Sequence, residues 1–309
     1  MLFNSSGIFP FLTVVLTLCA MFSGYGIAVA NDHVDAWIPF ISDCAAESPE
    51  KMVFGELLTL SAFCLAVTMY FIHRNIISFY EEQHVDIGKW AGFSKFILGL
   101  GWLAAIGATI VANFPESAQI IVHTIGAFTF FVGITFYFWG LLFISYSLKP
   151  KLVPIHLTNF RLLLTITLSL LLIFHIICLT AQPFVQRVNG KLPPRPDWPN
   201  HIERPKPGDA YYTNHIAAAL SEWIVAIIIL IGVLSFSFEF AATKYRAPKF
   251  VRQHSIDNHV TVIETPIQHE TIAPYFDHYS QTSTLKRLPR VDKVYPTSVY
   301  NNSNRLQYY

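Results

Sequence analysis

Residues 119–148 read QIIVHTIGAFTFFVGITFYFWGLLFISYSL, a predominantly apolar segment that contains no Asp, Glu, Lys or Arg. At a rise of about 1.5 Å per residue, about 20 such residues cross the hydrocarbon core of a bilayer as a helix. Hydrocarbon offers the backbone no hydrogen-bond partners, and a helix bonds its own amides and carbonyls. We therefore expect a transmembrane helix here.

Five further segments have the same character, and they run from Ile8 to Ala30, Met52 to Ile72, Phe93 to Ala112, Leu162 to Ala181 and Ile216 to Phe240. Apolar residues make up 53% of the chain and charged residues 13%, a balance outside the average for soluble globular domains. We predict an all-α protein with a polytopic six-helix transmembrane domain at residues 1–243. A polar tail at residues 244–309 lacks helical periodicity and is expected to be disordered.

The first segment has an alternative interpretation as a signal peptide, because Ala28-Val29-Ala30 resembles a cleavage site. Its apolar run is about twice as long as a usual signal-peptide core, and no Lys or Arg precedes it. We therefore interpret it as the first span.

Basic residues near the spans favour a cytosolic amino terminus and a cytosolic tail. A basic patch lies directly after the sixth span and consists of Lys244, Arg246, Lys249 and Arg252. Each basic side chain at the surface of an anionic leaflet contributes roughly 1 kcal/mol to membrane binding. We interpret this lipid-facing patch as ordinary flanking of a span, in preference to specific phosphoinositide recognition.

The loop from Gln182 to Asn214 falls on the luminal side in this orientation, although it carries several basic residues. Its core reads LPPRPDWPNHIERPKPGD, and such closely spaced prolines predict extended backbone. Two interpretations are a binding loop and a solvated, structurally idle insertion. We favour the second.

Small residues indicate how the third and fourth spans pack. Gly126, Gly133 and Gly140 recur every seven residues and so lie close to one helix face. The third span has Gly101 and Ala105, together with the series Ala104, Ala108 and Ala112, at the small-xxx-small spacing that lets helix backbones approach. We expect the two small faces to pack together.

Ionisable residues interrupt the luminal halves of the spans, and they are Glu56, His123, His215 and Glu222. Such groups are costly in a bilayer and usually point into the bundle. One hypothesis is a cluster whose histidines charge as the lumen acidifies. The alternative, which we favour, is a hydrogen-bonded strut that fixes helix register.

The sequence gives little support to catalysis, metal binding or nucleic-acid binding. Neither an HxxxH nor an HExxH pattern occurs, and Cys44 is the one cysteine outside the apolar runs, so neither a metal site nor a disulfide framework is predicted. The net charge is +1 with scattered basic residues. We predict no catalytic residues and no cofactor, with membrane lipids and unspecified cytosolic or membrane proteins as partners.

Several blocks together resemble the damage-regulated autophagy modulator (DRAM) family, within a wider six-span superfamily. The blocks are Trp37 to Asp43, Pro49-Glu50, Phe54-Gly55, Ala112-Asn113-Phe114, His123 with Gly126-Ala127, Arg161-Leu162-Leu163, and His215 with Glu222-Trp223. The resemblance implies six spans in lysosomal or endosomal membranes and a non-enzymatic role in autophagy and cell death. It carries over one set of polar positions, which are Asp43, Glu50, Asn113, His123, His215 and Glu222.

Relatives in the wider superfamily imply two alternatives. One is a plasma-membrane scaffold that anchors a phosphatidylinositol 4-kinase. The other is an intramembrane enzyme that remodels lipid anchors and uses His123, His215 and Glu222.

Overall fold

The computed structural model describes residues 6–196, 198 and 202–241. In this part of the chain the helices are α1 (Ile8–Ala30), α2 (Glu50–Glu82), α3 (Gly88–Asn113), α4 (Glu116–Ser147), α5 (Ile155–Thr180), α6 (Tyr212–Leu234) and α7 (Phe236–Ala241), with a 3-10 helix at Asp43–Ala45. The same residues form no β-strand, and their one isolated bridge joins Val188 to Lys191. The predicted all-α class is confirmed.

Six helices are long and apolar enough to cross a bilayer, the last running from Tyr212 to Phe240. Each predicted apolar segment falls on one of them, so the chain is a multi-pass membrane protein. Some helices are longer than the predicted apolar segments, because the polar residues that follow are also helical. For example, α2 continues beyond Ile72 to Glu82. The predicted tail and its basic patch lie outside the described residues, and the domain boundary at residue 243 stays a prediction.

The spanning helices form a ring in chain order, because each contacts the next and α6 contacts α1. The ring is uneven, since α4 packs extensively on α3 and much more sparsely on α5. The connections at residues 31–49 and 181–211 meet at one end of the ring, which we call the loop end. It is the end that the sequence predicts to face the lumen.

Glycines allow the close approach of α3 and α4. A Cβ atom added to Gly107 would lie 2.6 Å from the backbone nitrogen of Phe130, and one on Gly126 would lie 2.6 Å from Cγ2 of Ile110. Gly133 faces Ala104, and Gly140 faces Ile97. The glycine face of α4 therefore packs on α3, where it meets the small residues Gly107 and Ala104 and also the side chains of Ile110 and Ile97.

The sixth apolar segment is broken at Ser235, where the sequence pattern predicted continuity. The Ser235 hydroxyl donates to the carbonyl of Gly232 at 2.6 Å and accepts from Nε of Arg161 at 2.8 Å. Arg161 also pairs with Glu239 on α7 and lies over the ring of Phe236. These contacts pair a buried charge near the end of α5 opposite the loop end, although Nη2 of Arg161 has no hydrogen-bond partner among the described residues.

Candidate functional site

A cavity of about 560 Å³ lies at the loop end, bordered by α4, α5 and α6 and by the two long connections. Its polar wall includes Ser42, Asp43, Glu116, His123, His175, Arg195, Glu203 and Glu222. Its apolar wall includes Ile120, Phe128, Phe131, Val132, Leu172, Ile176 and Leu179. We call this space the amphipathic cavity.

The segment that carries Asp43 is held in place by α6. Glu222 accepts a hydrogen bond from the backbone N–H of Ile41 at 2.9 Å, and Nε1 of Trp223 donates to the carbonyl of Pro39 at 2.9 Å. Two adjacent side chains of one helix thus fix the path of the connection that leads into the 3-10 helix. Glu222 acts here as a strut, although its partner is a backbone amide and not a side chain of another helix.

Asp43 is only 2% exposed, and its Oδ2 atom has no hydrogen-bond partner among the described residues. Burial raises the pKa of the Asp43 carboxyl well above its ordinary value, and the nearby carboxyls of Glu116, Glu222 and Glu203 raise it further. An acidic side chain in this position favours either a proton or a cationic partner.

Two histidines border the amphipathic cavity in the same way. Nδ1 of His123 lies 2.8 Å from the carbonyl oxygen of Phe114, and Nδ1 of His175 lies 3.0 Å from that of Ala218. A carbonyl oxygen only accepts, so in each ring Nδ1 carries the proton. In the neutral form Nε2 is then the nitrogen with a free lone pair.

His175 also lies 3.0 Å from the hydroxyl of Ser221, a pairing that resembles a base beside a nucleophile. The Ser221 hydroxyl donates to the carbonyl of Ala218 at 2.7 Å, and Nδ1 of His175 is itself a donor. That nitrogen therefore has no lone pair with which to accept the serine proton. The pair is not an activated nucleophile.

The proline-rich loop covers the cavity. Arg195 pairs with Glu203 at 2.9 Å, both residues line the cavity, and the hydroxyl of Tyr211 donates to the carbonyl of Pro193 at 2.8 Å. Farther along, Arg204 donates to Asp32 at 2.8 Å and to Asp35 at 2.9 Å. The interpretation of this loop as a structurally idle insertion is wrong for its described residues, because long-range ion pairs fix it to the 31–49 connection.

A neighbouring cavity of about 290 Å³ holds His215. Glu203 borders both cavities, and its Oε2 lies 3.6 Å from Nδ1 of His215, which is beyond hydrogen-bond distance but within ion-pair distance. Burial alone would raise the pKa of Glu203, but the nearby His215 and Arg195 lower it below its ordinary value. The ring of Phe40 packs edge-on against His215 with centroids 4.9 Å apart.

The residues carried over from the family resemblance do not form one cluster. Asp43, His123 and Glu222 line the amphipathic cavity, and His215 lines the neighbouring one. Glu50 is fully buried elsewhere and contacts Nδ1 of His33 at 2.5 Å. The amide of Asn113 donates to Thr59 and Thr109, away from both cavities.

Glu56 also differs from the expectation that ionisable residues in the spans point into the bundle. It is exposed on α2 and lines neither cavity. A position close to the end of a span allows a carboxylate to reach the interface, so inward placement is not required there.

Four ionisable residues of the cavity were not part of the predicted cluster, and they are Glu116, His175, Arg195 and Glu203. Glu116 lies seven residues before His123, but the backbone of Gln119 between them is non-helical (φ −143°, ψ 60°), so helical spacing does not place the two on one face. Arg195 and Glu203 belong to a loop without periodicity, so no sequence pattern places them.

This arrangement can bind a polar or cationic group at one end and a hydrocarbon group along its apolar wall. Among the described residues no group of three or more His, Cys, Asp or Glu side chains is arranged to hold a metal ion.

Comparison with known proteins identifies related chains of similar length. The chain is 30% identical over 217 residues to DNA damage-regulated autophagy modulator protein 2 of Rattus norvegicus. These aligned residues cover 69% of this chain and 76% of the relative. The chain is 31% identical over 232 residues to DNA damage-regulated autophagy modulator protein 1 of Xenopus laevis, covering 75% and 89%. The modulator of macroautophagy TMEM150B of Xenopus tropicalis is 27% identical over 233 residues, covering 75% and 84%.

No solved structure matches the chain significantly. The family model that describes the Frag1/DRAM/Sfk1/Cwh43P N-terminal domain matches residues 5–243, which include all six spanning helices and both cavities. The chain belongs to the Frag1/DRAM/Sfk1/Cwh43P family.

Proposed function

We propose that this chain is a non-enzymatic regulator of autophagy in the lysosomal or endosomal membrane, with a role in cell death. The observation that carries the proposal is the kinship with proteins named as autophagy modulators, which extends over 69–77% of the chain. The matched residues include the amphipathic cavity, so the relatives share the part of the molecule that could receive a ligand.

The chemistry of the cavity supports a regulator in preference to an enzyme. The Ser221–His175 pair is oriented for structure, because both groups donate to the same carbonyl of Ala218. The relatives are named modulators, a name that specifies no reaction. We propose membrane lipids and other cytosolic or membrane proteins as partners, and no nucleic acid.

A cellular experiment tests this function. Cells that lack the protein are compared with cells in which the full chain, tagged at its carboxyl terminus, is restored, and lysosomal turnover of an autophagosome marker is measured during starvation. We expect reduced turnover without the protein, recovery upon restoration, and a tag signal that coincides with lysosomes or endosomes.

Unchanged turnover would refute the autophagy role. A tag signal confined to the plasma membrane would instead support the scaffold alternative, in which the chain anchors a phosphatidylinositol 4-kinase. In that case, loss of the protein should lower surface phosphatidylinositol 4-phosphate.

A further inference from the structure

The amphipathic cavity opens sideways between α4 and α5. Phe128 on α4 is 61% exposed, and Leu179 on α5 is 49% exposed, yet both line the cavity. On a membrane-spanning helix such exposure faces lipid. A hydrocarbon chain can therefore enter from the bilayer along the seam of the two helices, which pack sparsely against each other.

Carboxyl groups outnumber basic side chains in the polar wall. Arg195 is the one Lys or Arg among the described lining residues, and Glu203 already pairs with it at 2.9 Å. Among the described lining residues, Asp43, Glu116 and Glu222 then have no Lys or Arg partner. The Oδ2 atom of Asp43 is buried there with no hydrogen-bond partner in the described part of the chain. A buried carboxyl of this kind is stabilised by a donor that carries positive charge.

The same wall disfavours other membrane molecules. A fatty acid or the phosphate of a phospholipid would meet three carboxyl groups and a single, already paired guanidinium. A volume of about 560 Å³ lies within the range of roughly 300–1,000 Å³ that holds small-molecule ligands. The amphipathic cavity therefore has an acidic wall at one end, an apolar wall along its remaining length, and an opening to the bilayer.

We propose that the amphipathic cavity binds a single-chain membrane amphiphile whose head carries a protonated amine, with the amine against Asp43 and Glu222 and the chain along the seam of α4 and α5. This inference goes beyond the role in autophagy and stands separately from it, because binding is measured on the purified chain.

Saturation binding in nanodiscs of phosphatidylcholine tests the proposal, with the full-length chain and radiolabelled octadecylamine as the probe. Octadecanol and octadecanoic acid compete as neutral and anionic molecules with the same chain length. We expect octadecylamine to bind saturably, octadecanol to compete at least about tenfold more weakly, and octadecanoic acid not to compete. The reason is that loss of one partner of a buried charge pair lowers affinity by about 30-fold to several-thousand-fold.

Matched variants separate the site from non-specific partition into lipid. Asp43→Asn and Glu222→Gln should each weaken octadecylamine binding on the order of tenfold or more. Glu56→Gln removes a carboxyl from a spanning helix outside the cavity and should leave binding unchanged. Thr124→Trp places a bulky group at an exposed position of the cavity lining, and we expect it to reduce binding of both amine and alcohol without altering the polar wall.

Three results would overturn the proposal. The first is equal affinity of the natural chain for octadecylamine and octadecanol. The second is an equal change in octadecylamine affinity for Glu56→Gln and Glu222→Gln. The third is unchanged octadecylamine binding by Thr124→Trp. If Glu222→Gln does not fold, Asp43→Asn and Thr124→Trp still decide between the outcomes.

Discussion

The carboxyl of Asp43 is buried close to three other carboxyl groups, and this placement makes the stability of the protein depend on pH. Because its pKa is raised in the folded state, the folded protein binds more protons than the unfolded chain over the interval between the two pKa values. Stability therefore falls as the pH rises through this interval and is regained as the pH falls. An acidic compartment favours the folded state through this group.

Asp43→Asn removes the ionisable group and keeps its shape. We expect a higher melting temperature than the natural chain at neutral pH, with a difference that shrinks as the pH approaches the ordinary range of an aspartate. Melting temperatures of purified protein at several pH values measure the effect. Glu56→Gln, on an exposed carboxyl, is the control, and an equal gain in both variants would contradict this account.

Glu222 has a structural role that two substitutions can separate from its charge. Glu222→Ala leaves the N–H of Ile41 without its acceptor, which costs about 1–3 kcal/mol for a buried group. Glu222→Gln retains an acceptor oxygen and should cost less. Chemical unfolding of the two variants measures the difference, and equal losses would show that the hydrogen bond to Ile41 does not stabilise the fold.

At the scale of elements, the contact between α3 and α4 depends on the absence of side chains. Gly107→Ala places a Cβ against the backbone of Phe130 and Gly126, and we expect a loss of about 1–3 kcal/mol in unfolding free energy. Gly99→Ala on the same helix is the matched control, because nothing lies within 4 Å of the added atom. That change should be neutral or slightly stabilising, since alanine favours a helix.

The loop over the cavity is fixed by a different kind of interaction. Burial alone would raise the pKa of Asp35, but hydrogen bonds from Lys206 and Arg204 lower it below its ordinary value. A lowered pKa means that the stability from this carboxylate is present above the ordinary aspartate range and is lost as the pH falls through the folded pKa. The ion pairs that fix the loop therefore persist in moderately acidic solution.

Arg204→Ala should release the loop without unfolding the bundle. Because these ion pairs are partly exposed, we expect a stability loss below about 1 kcal/mol. Cleavage within residues 182–211 by a protease of broad specificity should nevertheless become faster. Arg187→Ala, which removes a hydrogen bond to the nearby carbonyl of Ala181, is the control. Equal cleavage rates in the two variants would show that Arg204 does not fix the loop.

The sequence predicts features that depend on neighbouring residues, and it does not predict features that depend on contacts between distant segments. The spans follow from composition over about 20 residues, a local property, and the contact of Gly133 with Ala104 follows from spacing along two neighbouring helices. The loop that carries Arg195 and Glu203 is instead fixed by ion pairs of Arg204 with Asp32 and Asp35, which lie 172 and 169 residues away in the sequence. No local pattern contains that information.

At the scale of the whole molecule, the ring of helices has a sparse seam and a negative wall at the same end. The sequence indicated Asp43, His123 and Glu222 as polar residues near this end, but it grouped them with Glu50 and Asn113, which lie apart. Helix register tells which residues share a face of one helix. It does not tell which helices separate enough to leave a cavity.

We propose that the chain regulates autophagy and that the amphipathic cavity is required for this role. The most direct test restores the full chain, Thr124→Trp, or Glu56→Gln at equal abundance in cells that lack the protein, and measures lysosomal turnover of an autophagosome marker. We expect recovery with the full chain and with Glu56→Gln, and little recovery with Thr124→Trp. Full recovery with a correctly localised Thr124→Trp variant would contradict the claim.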